Sequence, residues 1–287
     1  MPLLLCSACY HSIHDYAENP EPSADMGYLA AQLNYEYPED LGTPVNNLNI
    51  HIFGNGGPGP SEDFGSIDEA SDWLQQLPVG EYDVLVTQDM TAAAGYSLQG
   101  GVVSLPNPAS SPDQSWYAMA HVTVRKDEVT VADFELQRLM AALELNVSNV
   151  PEGTTIEVTV DHAAASVDLM SNDYRGRLGQ PSADFKPVEF GHATQGTGTR
   201  SISLTTGLRR LLPTSRDFDR TYIDLWVTTP QGRQLFCLGD TPRMESGHTY
   251  VIDLDYTRLK PYMHIEWYRI DDWTEGAVIT GEVEVPE

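Results

Sequence analysis

Neither lysine nor arginine occurs before Arg125. Residues 1–124 contain 16 acidic residues, whereas residues 125–287 contain the other 26 acidic residues and all 16 basic ones, so the formal net charge is −26. Nucleic acids and anionic lipid head groups attract positively charged surfaces, and this composition argues against both as partners. The charge is typical of a well-solvated surface, and its uneven distribution suggests two structural units.

Cysteine is also scarce, with Cys6, Cys9 and Cys237 in the whole chain. Three cysteines cannot form the disulfide framework of a small secreted domain. Cys6 and Cys9 have the C-x-x-C spacing of a metal or redox pair, but a second pair is missing, which argues against a zinc site. We interpret Cys237, which lies in a strand-rich region, as a small buried apolar residue.

Long apolar runs are absent as well, since no stretch approaches the ~18–20 residues that span a bilayer. Leu3, Leu4 and Leu5, followed by small residues, instead resemble the end of a secretory signal peptide. A complete signal peptide has a basic segment and an apolar stretch of ~7–15 residues, and neither is present. We therefore expect the true start of the protein to lie upstream of Met1.

The segment that ends in Cys9 resembles a bacterial lipobox, in which a large aliphatic residue and two small residues precede the modified cysteine. Ser7 and Ala8 fit the small positions, whereas Cys6 stands where leucine is usual. We predict that Cys9 carries diacylglycerol on its sulfur and a further acyl chain on its amino group. Several acyl chains hold a protein on a membrane stably, because each buried methylene contributes ~0.8 kcal/mol.

Short alternating segments indicate β-strands in the rest of the chain. Residues 48–53 (LNIHIF) place Leu48, Ile50 and Ile52 on one face and Asn49, His51 and Phe53 on the other. Residues 82–86 (YDVLV), which follow a Pro-x-Gly turn, place Tyr82, Val84 and Val86 on one face. Residues 229–232 are predicted to form the turn of a hairpin. The other predicted strands are residues 29–37, 102–105, 117–124, 129–131, 156–160, 201–204, 222–228, 233–238, 248–255, 264–270 and 277–285.

Two segments are ambiguous. Residues 134–147 suit either a strand or a helix, and we favour one continuous strand because residues 149–153 (NVPEG) are typical of a hairpin turn before strand 156–160. Residues 54–60 (GNGGPGP) are predicted to be a loop. Glu62 and Asp63 follow this loop and would repel phosphate, which argues against a phosphate-binding motif.

The number of short strands, without heptads or sustained helical periodicity, predicts an all-β protein. Two β-sandwich domains in tandem fit the length. The prolines of NPEPSA, which precedes Asp25, predict an extended tether. We divide the chain into a signal remnant and tether (residues 1–24), an N-terminal β-sandwich domain (25–132) and a C-terminal β-sandwich domain (133–287).

The patterns of common catalytic sites are missing. No H-x-x-x-H, H-E-x-x-H or G-x-S-x-G segment occurs, so neither a zincin site nor an α/β-hydrolase nucleophile elbow is expected. We interpret His51 as an exposed strand residue. Acid pairs could bind calcium or act as glycosidase carboxylates, but solvated strand edges explain them as well; these pairs are Asp217/Asp219, Asp253/Asp255 and Asp271/Asp272. We expect no catalytic residue, cofactor or metal site.

The order of these segments resembles the fimbrillin superfamily of type V pilus subunits in Bacteroidales, particularly its lipidated, anchor-like members. The resemblance spans most of the chain. It rests on Cys9, residues 33–37 (LNYEY), 48–53 (LNIHIF) and 77–84 (LPVGEYDV), the segment 134–160, and residues 270–276 (IDDWTEG). It implies that the two tandem β-sandwich domains are transthyretin-like, with Greek-key connections.

In that family, a trypsin-like protease cuts stalk subunits at arginine or lysine and removes an N-terminal strand. The vacated groove then accepts a strand from the next subunit, which is β-strand addition. Because no arginine or lysine precedes Arg125, the first strand of this chain is expected to stay in place with its edges satisfied. The resemblance therefore implies a lipid-anchored, surface-exposed fimbrial subunit of the outer membrane that anchors a fimbrium or limits its assembly. Its partners would be other fimbrial subunits.

Two other functions stay open at this level. If Trp267, Tyr268 and Trp273 are exposed, they could stack on sugars, and the chain would be a glycan-binding surface lipoprotein of a polysaccharide-uptake system. Core packing explains the same aromatic residues. An enzyme would need convergent carboxylates in a deep cleft, and nothing in the sequence demands one.

Overall fold

A computed structural model of the chain describes residues 25–37, 40, 44–45, 47–54, 57–107, 111–171, 173–175, 183–185, 192–196, 199–260, 262–263 and 271–272. The lipidation candidate Cys9, the predicted tether, and the strands predicted at 264–270 and 277–285 lie outside these residues. The aromatic residues Trp267, Tyr268 and Trp273 also lie outside them.

The described residues are almost entirely β-structure, which confirms the predicted all-β class. They contain one short α-helix, α1 (Ile67–Ser71), whose first turn is capped by the Ser66 hydroxyl accepting from the backbone N–H of Glu69. Among these residues, no helix is long and apolar enough to cross a membrane.

The described residues of the first half of the chain form nine strands. Seven of them form one sheet, and the other two join a smaller sheet described below. The nine strands are β1 (Met26–Tyr35), β2 (Leu48–Gly54), β3 (Gly57–Phe64), β4 (Leu74–Pro78), β5 (Gly80–Gln88), β6 (Ser97–Gln99), β7 (Val102–Ser104), β8 (Trp116–Val124) and β9 (Val129–Arg138). The seven-stranded sheet has the order β3-β2-β5-β8-β9-β1-β4.

This sheet encloses its own core because it is folded over between β8 and β9. These two strands are hydrogen-bonded partners only at Trp116↔Arg138 and Tyr117↔Gln137. Beyond those pairs the two halves of the sheet diverge, and apolar side chains from both halves pack in one cluster. The predicted apolar faces of residues 48–53 and 82–86 are confirmed, since both lie in this cluster, while Leu85 on the other face is buried in a different cluster.

Thirteen further strands lie in the described residues of the second half. They are β10 (Ala141–Pro151), β11 (Thr155–Asp161), β12 (Ser166–Asp168), β13 (Asp173–Arg175), β14 (Ala183–Phe185), β15 (His192–Gly196), β16 (Thr199–Thr205), β17 (Arg209–Leu211), β18 (Thr221–Thr229), β19 (Gly232–Thr241), β20 (His248–Asp255), β21 (Tyr262–Met263) and β22 (Asp271–Asp272). A short 3₁₀ turn, Tyr256–Arg258, follows β20.

Two sheets of the second half share one core. One sheet has the order β15-β16-β10-β20-β22, with β17 also paired to β10, and the other has the order β14-β11-β18-β19-β21. Buried residues of both sheets, such as Leu145, Val158, Leu225 and Leu254, pack in a single cluster. The hairpin of β18 and β19 turns at Thr229↔Gly232, as predicted.

A third cluster lies where the two halves meet. A four-stranded sheet with the order β13-β12-β7-β6 contributes Val103 and Val167 to it. The two residues that link β9 to β10, Leu139 and Met140, are fully buried in the same cluster. The connection between the halves is therefore packed into apolar surroundings.

Three local predictions are wrong. Residues 57–60 belong to β3 and are not loop, because β3 is an edge strand, where proline and glycine are tolerated. Residues 134–147 are not one strand, since Leu139 and Met140 separate β9 from β10. Residues 149–153 do not join a hairpin, because β10 and β11 lie in different sheets.

The division into domains at 132/133 remains a prediction. The buried residues Phe134 and Leu136 of β9 pack in the cluster of the seven-stranded sheet. The first residue after β9 whose side chain packs in the core of the two second-half sheets is Ala141. This packing favours a boundary at the buried Leu139–Met140 link over one inside β9.

Candidate functional site: the slot of the first strand

β1 is an interior strand of the seven-stranded sheet. It runs parallel to β9 from Tyr28↔Val129 to Tyr35↔Leu136, and antiparallel to β4 from Met26↔Pro78 to Ala30↔Leu74. Both edges of β1 are therefore hydrogen-bonded over its first half, and its second half is bonded to β9. We call the space between β9 and β4 that β1 fills the first-strand slot.

Four alternate side chains of β1 point into the core of the sheet. Leu29, Ala31, Leu33 and Tyr35 are all buried there, while Gln32 and Asn34 are exposed. Burying each leucine stabilises the docked strand by about 1.5–3 kcal/mol. The β1 sequence thus fits the slot because every second residue is apolar, and every second side chain of a strand points to the same face of the sheet.

The start of β1 is fixed to the turn between β8 and β9. The Lys126 ammonium lies 2.6 Å from the Asp25 carboxylate, and the backbone N–H of Asp127 donates to the carbonyl of Met26 at 2.9 Å. Gly27 is buried here, and a Cβ on it would lie 2.0 Å from the backbone oxygen of Arg125. Only glycine therefore lets β1 approach this turn so closely.

Replacing Gly27 by alanine is expected to lower the free energy of unfolding by about 1–3 kcal/mol, because the backbone oxygen of Arg125 cannot move aside as a side chain could. Gly65→Ala is the matched control, since its new Cβ would meet only the flexible end of Glu69. Urea unfolding of both variants measures the difference. Equal stability of the two variants would show that β1 does not press against the turn.

The end of β1 is fixed by a buried ion pair. Asp40 accepts from Nη2 of Arg138 at 2.6 Å and from Nε at 2.9 Å, and the two side chains are 7% and 2% exposed. Trp116 donates from Nε1 to the same carboxylate at 2.8 Å. The guanidinium also lies over the ring of Tyr37, 4.6 Å from its centre. This cluster joins the segment after β1 to the last residue of β9.

Tyr35 extends that cluster into the core. Its hydroxyl donates to Oε1 of Gln88 at 2.7 Å, and its ring meets Trp116 edge-on at 6.1 Å between ring centres. Burial raises the pKa of the Tyr35 hydroxyl, so it stays a neutral donor at ordinary pH. The last side chain of β1 is thus held by packing and by a hydrogen bond together.

The basic residues nearest to the first-strand slot follow it in sequence. Arg125 and Lys126 have exposed side chains in the β8–β9 turn, whereas Arg138 is buried in its ion pair. A trypsin-like cut at the turn would leave β1 attached to β2, β5 and β8. Such a cut therefore cannot remove the first strand alone.

The residues singled out for other chemistry have structural partners. Asp253 accepts from the Asn146 amide at 3.0 Å, and Asp255 accepts from the backbone N–H of Thr257 at 2.9 Å. Asp217 accepts a hydrogen bond from the Ser215 hydroxyl at 3.4 Å. For Asp271 and Asp272 the structure describes the backbone alone. Among the described residues, no group of three His, Cys, Asp or Glu could hold a metal ion.

Cys237 is half-buried in β19, which differs from the predicted full burial. Desolvation and the neighbouring Asp224 carboxylate raise the pKa of its thiol to about 11. The thiolate is the reactive form, so this cysteine is a poor nucleophile at neutral pH.

Two histidines on the polar face of the first half have opposite pKa shifts. His121 contacts Asp83 through Nδ1 at 2.8 Å and Glu81 through Nε2 at 3.0 Å, and the hydrogen bond to Asp83 is the main cause that raises the pKa of His121. His51 is half-buried in β2 rather than exposed as predicted, and burial lowers its pKa.

In an NMR titration, His121 is expected to titrate above the ordinary value of about 6.5 and His51 below it. Asp83→Asn should lower the pKa of His121 and leave that of His51 unchanged. The stability that His121 contributes is present in full below its unfolded pKa and is lost as the pH rises through its folded pKa. A single shared midpoint for the two rings would contradict these assignments.

The fold has counterparts among solved structures. A "putative adhesin" of Bacteroides thetaiotaomicron aligns with a TM-score of 0.54 and 11% identity, over 87% of this chain and 97% of that one. A "putative adhesin" of Bacteroides ovatus aligns with a TM-score of 0.51 and 11% identity, over 82% and 87%. This chain therefore shares its all-β fold with two solved Bacteroides proteins described as "putative adhesin".

A third structure, the fimbrial anchor protein Mfa2 from Porphyromonas gingivalis, aligns with a TM-score of 0.48 and 14% identity, over 79% of this chain and 89% of that one. No protein-family model matches the sequence. No curated protein matches it in sequence either.

Proposed function

We propose that this chain is a structural subunit of a surface fimbrium or adhesin that keeps its first strand and thereby anchors the assembly or limits its growth. One observation carries the proposal: β1 fills the first-strand slot and is tied down at both ends, while no arginine or lysine lies before Arg125. The fold shared with two Bacteroides proteins described as adhesins supports a surface role. A filled slot cannot accept a strand from another subunit, so growth would stop at this chain.

The placement on the outer membrane is part of this proposal. Cys9 in its lipobox-like segment would carry the acyl chains, and residues 10–24 would reach from the membrane to β1. We also propose that the two halves of the chain are tandem, transthyretin-like β-sandwich domains. The separate apolar clusters of the two halves support that division.

Strand addition to this chain would use a free sheet edge in place of the slot. Among the described strands, β3 and β4 are the edges of the seven-stranded sheet. β3 carries Pro60, Glu62 and Asp63, which disfavour pairing with another strand. β4 (LQQLP) carries no charge, and its exposed Leu74 lies in one row with Ala30 and Val131. We propose β4 as the edge that contacts a partner subunit.

Fatty-acid labelling tests the membrane anchor. The full precursor would be expressed in a Bacteroides host that is fed an alkyne fatty acid, and the purified protein would be examined for the label. We expect label on wild type and on Cys6→Ala, and none on Cys9→Ala. Label that is absent from wild type, or that persists in Cys9→Ala, would refute the anchor at Cys9.

Deletion of the gene tests the assembly role. If the chain anchors or limits a fimbrium, electron microscopy of the deletion strain should show longer or shed filaments. Expression of the wild-type protein in that strain should restore the normal length and attachment of the filaments. Unchanged surface filaments in the deletion strain would contradict the assembly role while leaving the lipid anchor intact. The glycan-binding alternative stays a prediction, because its aromatic residues lie outside the described part of the chain.

A further inference from the structure

A pocket of about 370 Å³ lies between the segment after β17 and the turn before β20. Residues of those two segments and the first residue of β20 form its walls, and β17 and β20 are both hydrogen-bonded to β10. The lining residues are Pro213, Thr214, Arg216, Arg243, Met244, Glu245, Ser246 and His248. The volume is at the lower end of the range that small ligands occupy.

The pocket concentrates positive charge in a chain with a net charge of −26. Arg216 and Arg243 are permanently charged, and His248 adds a third basic group. Glu245 is the one acidic residue of the lining, and it is exposed. His248 interacts electrostatically with Glu36, whose negative charge offsets a positive charge on the ring. The two arginines are therefore the main cationic groups of the pocket.

One donor of the half-buried Arg243 side chain has no partner in the described part of the chain. Its Nε is buried and has no hydrogen-bond partner among the described residues. A buried donor without an acceptor costs about 1–3 kcal/mol, so this arginine is held in the wall of the pocket at a cost. The planar guanidinium fits a carboxylate through two parallel hydrogen bonds.

The walls of the pocket are held in place by hydrogen bonds. Thr214 and Met244 are bonded to each other twice, through Thr214 N–H to the Met244 carbonyl at 2.9 Å and through Met244 N–H to the Thr214 hydroxyl at 2.8 Å. The Tyr250 hydroxyl donates to the carbonyl of Arg243 at 2.9 Å. His248 donates from Nδ1 to the carbonyl of Ser246 at 2.9 Å. A ligand would therefore meet a preformed site.

We propose that this pocket binds a carboxylated sugar of the hexuronate type. Arg243 and Arg216 would hold the carboxylate, and the exposed Glu245 would accept hydrogen bonds from the sugar hydroxyls. The mixed lining favours this ligand, because Glu245 would repel a polyanion such as phosphate or a run of acidic side chains. A hexuronate instead offers one carboxylate and several hydroxyl donors. The proposal does not depend on the fimbrial role.

NMR titration of the full chain with galacturonate and glucuronate tests the site. Galactose lacks the carboxylate, succinate lacks the ring hydroxyls, and inorganic phosphate is a compact anion. We expect saturable shifts of the His248 and Ser246 amides with a hexuronate, and at least tenfold weaker binding of the three other compounds. No saturable shift with either hexuronate overturns the proposal. Equal binding of galactose, succinate or phosphate overturns it as well.

Variants distinguish binding in this pocket from a general attraction between an anionic sugar and any arginine on the surface. Arg243→Gln and Arg216→Gln should each weaken hexuronate binding at least tenfold, and Arg216 is exposed, so its replacement leaves the fold intact. Arg233→Gln is the matched control, because Arg233 pairs with Glu157 and stacks on Trp226, outside the lining. Glu245→Gln should weaken hexuronate binding but strengthen binding of phosphate. Unchanged affinity in both pocket arginine variants would overturn the assignment.

Discussion

Replacing Asp40 by alanine is expected to lower the free energy of unfolding by about 3–5 kcal/mol. The substitution leaves the buried Arg138 guanidinium without its carboxylate and also removes the acceptor of Trp116. Domains of ordinary size have a total stability of about 5–15 kcal/mol, so this loss is a large share of it. Urea unfolding followed by tryptophan fluorescence measures the change, because Trp116 itself contacts the pair.

Asp25→Ala is the control for this prediction, since Asp25 pairs with Lys126 at an exposed position. An exposed pair contributes little to stability because water and salt screen it. A double variant, Asp40→Leu with Arg138→Met, should recover much of the stability lost in Asp40→Ala, because it leaves no unpaired buried charge. If Asp40→Ala is no more destabilising than Asp25→Ala, the buried pair does not hold the end of β1.

Placing an arginine at Pro44 is expected to make the first strand separable. Pro44 is exposed between β1 and β2, so Pro44→Arg creates a trypsin site after β1. After the cut, residues 1–44 should stay bound in native buffer, because β1 is hydrogen-bonded to β9 and β4, and should dissociate in denaturant. The remaining chain loses the burial of Leu29 and Leu33, which amounts to about 3–6 kcal/mol. Size-exclusion chromatography and mass spectrometry follow the fragment.

Pro44→Gln is the matched variant without a new cleavage site. Cuts at the exposed Arg125 and Lys126 occur equally in both variants and serve as an internal standard. A synthetic peptide with the sequence Met26–Tyr35 should rebind the emptied slot and change the fluorescence of Trp116, which contacts Tyr35. Loss of residues 1–44 in native buffer without loss of stability would mean that β1 is not integral to the sheet.

Sequence patterns predicted those parts of the fold that depend on neighbouring residues. The strands at 48–53 and 82–86 and the hairpin that turns at residues 229–232 follow from local alternation and turn chemistry, and the structure contains them. The loop prediction is wrong for residues 57–60, because glycine and proline suggest a loop whereas an edge strand tolerates both. Local composition does not reveal whether a strand lies at an edge.

The candidate site could be predicted only in part. The missing basic residues predict that β1 stays attached, but they do not predict that it lies parallel to β9 with about 100 residues between partners. The sequence indicates the buried Asp40–Arg138 pair only weakly. Its one sign is that Arg138 takes the next core-facing position of β9 after Phe134 and Leu136. Its partner Asp40 lies in a turn after β1, where an acidic residue is unremarkable. Long-range pairing of this kind is set by tertiary packing.

The parallel pairing of β1 with β9 also has a consequence for biosynthesis. Tyr28 meets Val129, which leaves the ribosome roughly 100 residues later. At about 5–20 residues per second, that distance corresponds to several seconds of translation. The strand that is made first therefore waits for its partner, with the apolar side of Leu29, Leu33 and Tyr35 uncovered. Before β9 is made, β1 can pair only with β4, over Met26–Ala30. We therefore expect a nascent chain halted before residue 129 to be a good substrate for chaperones.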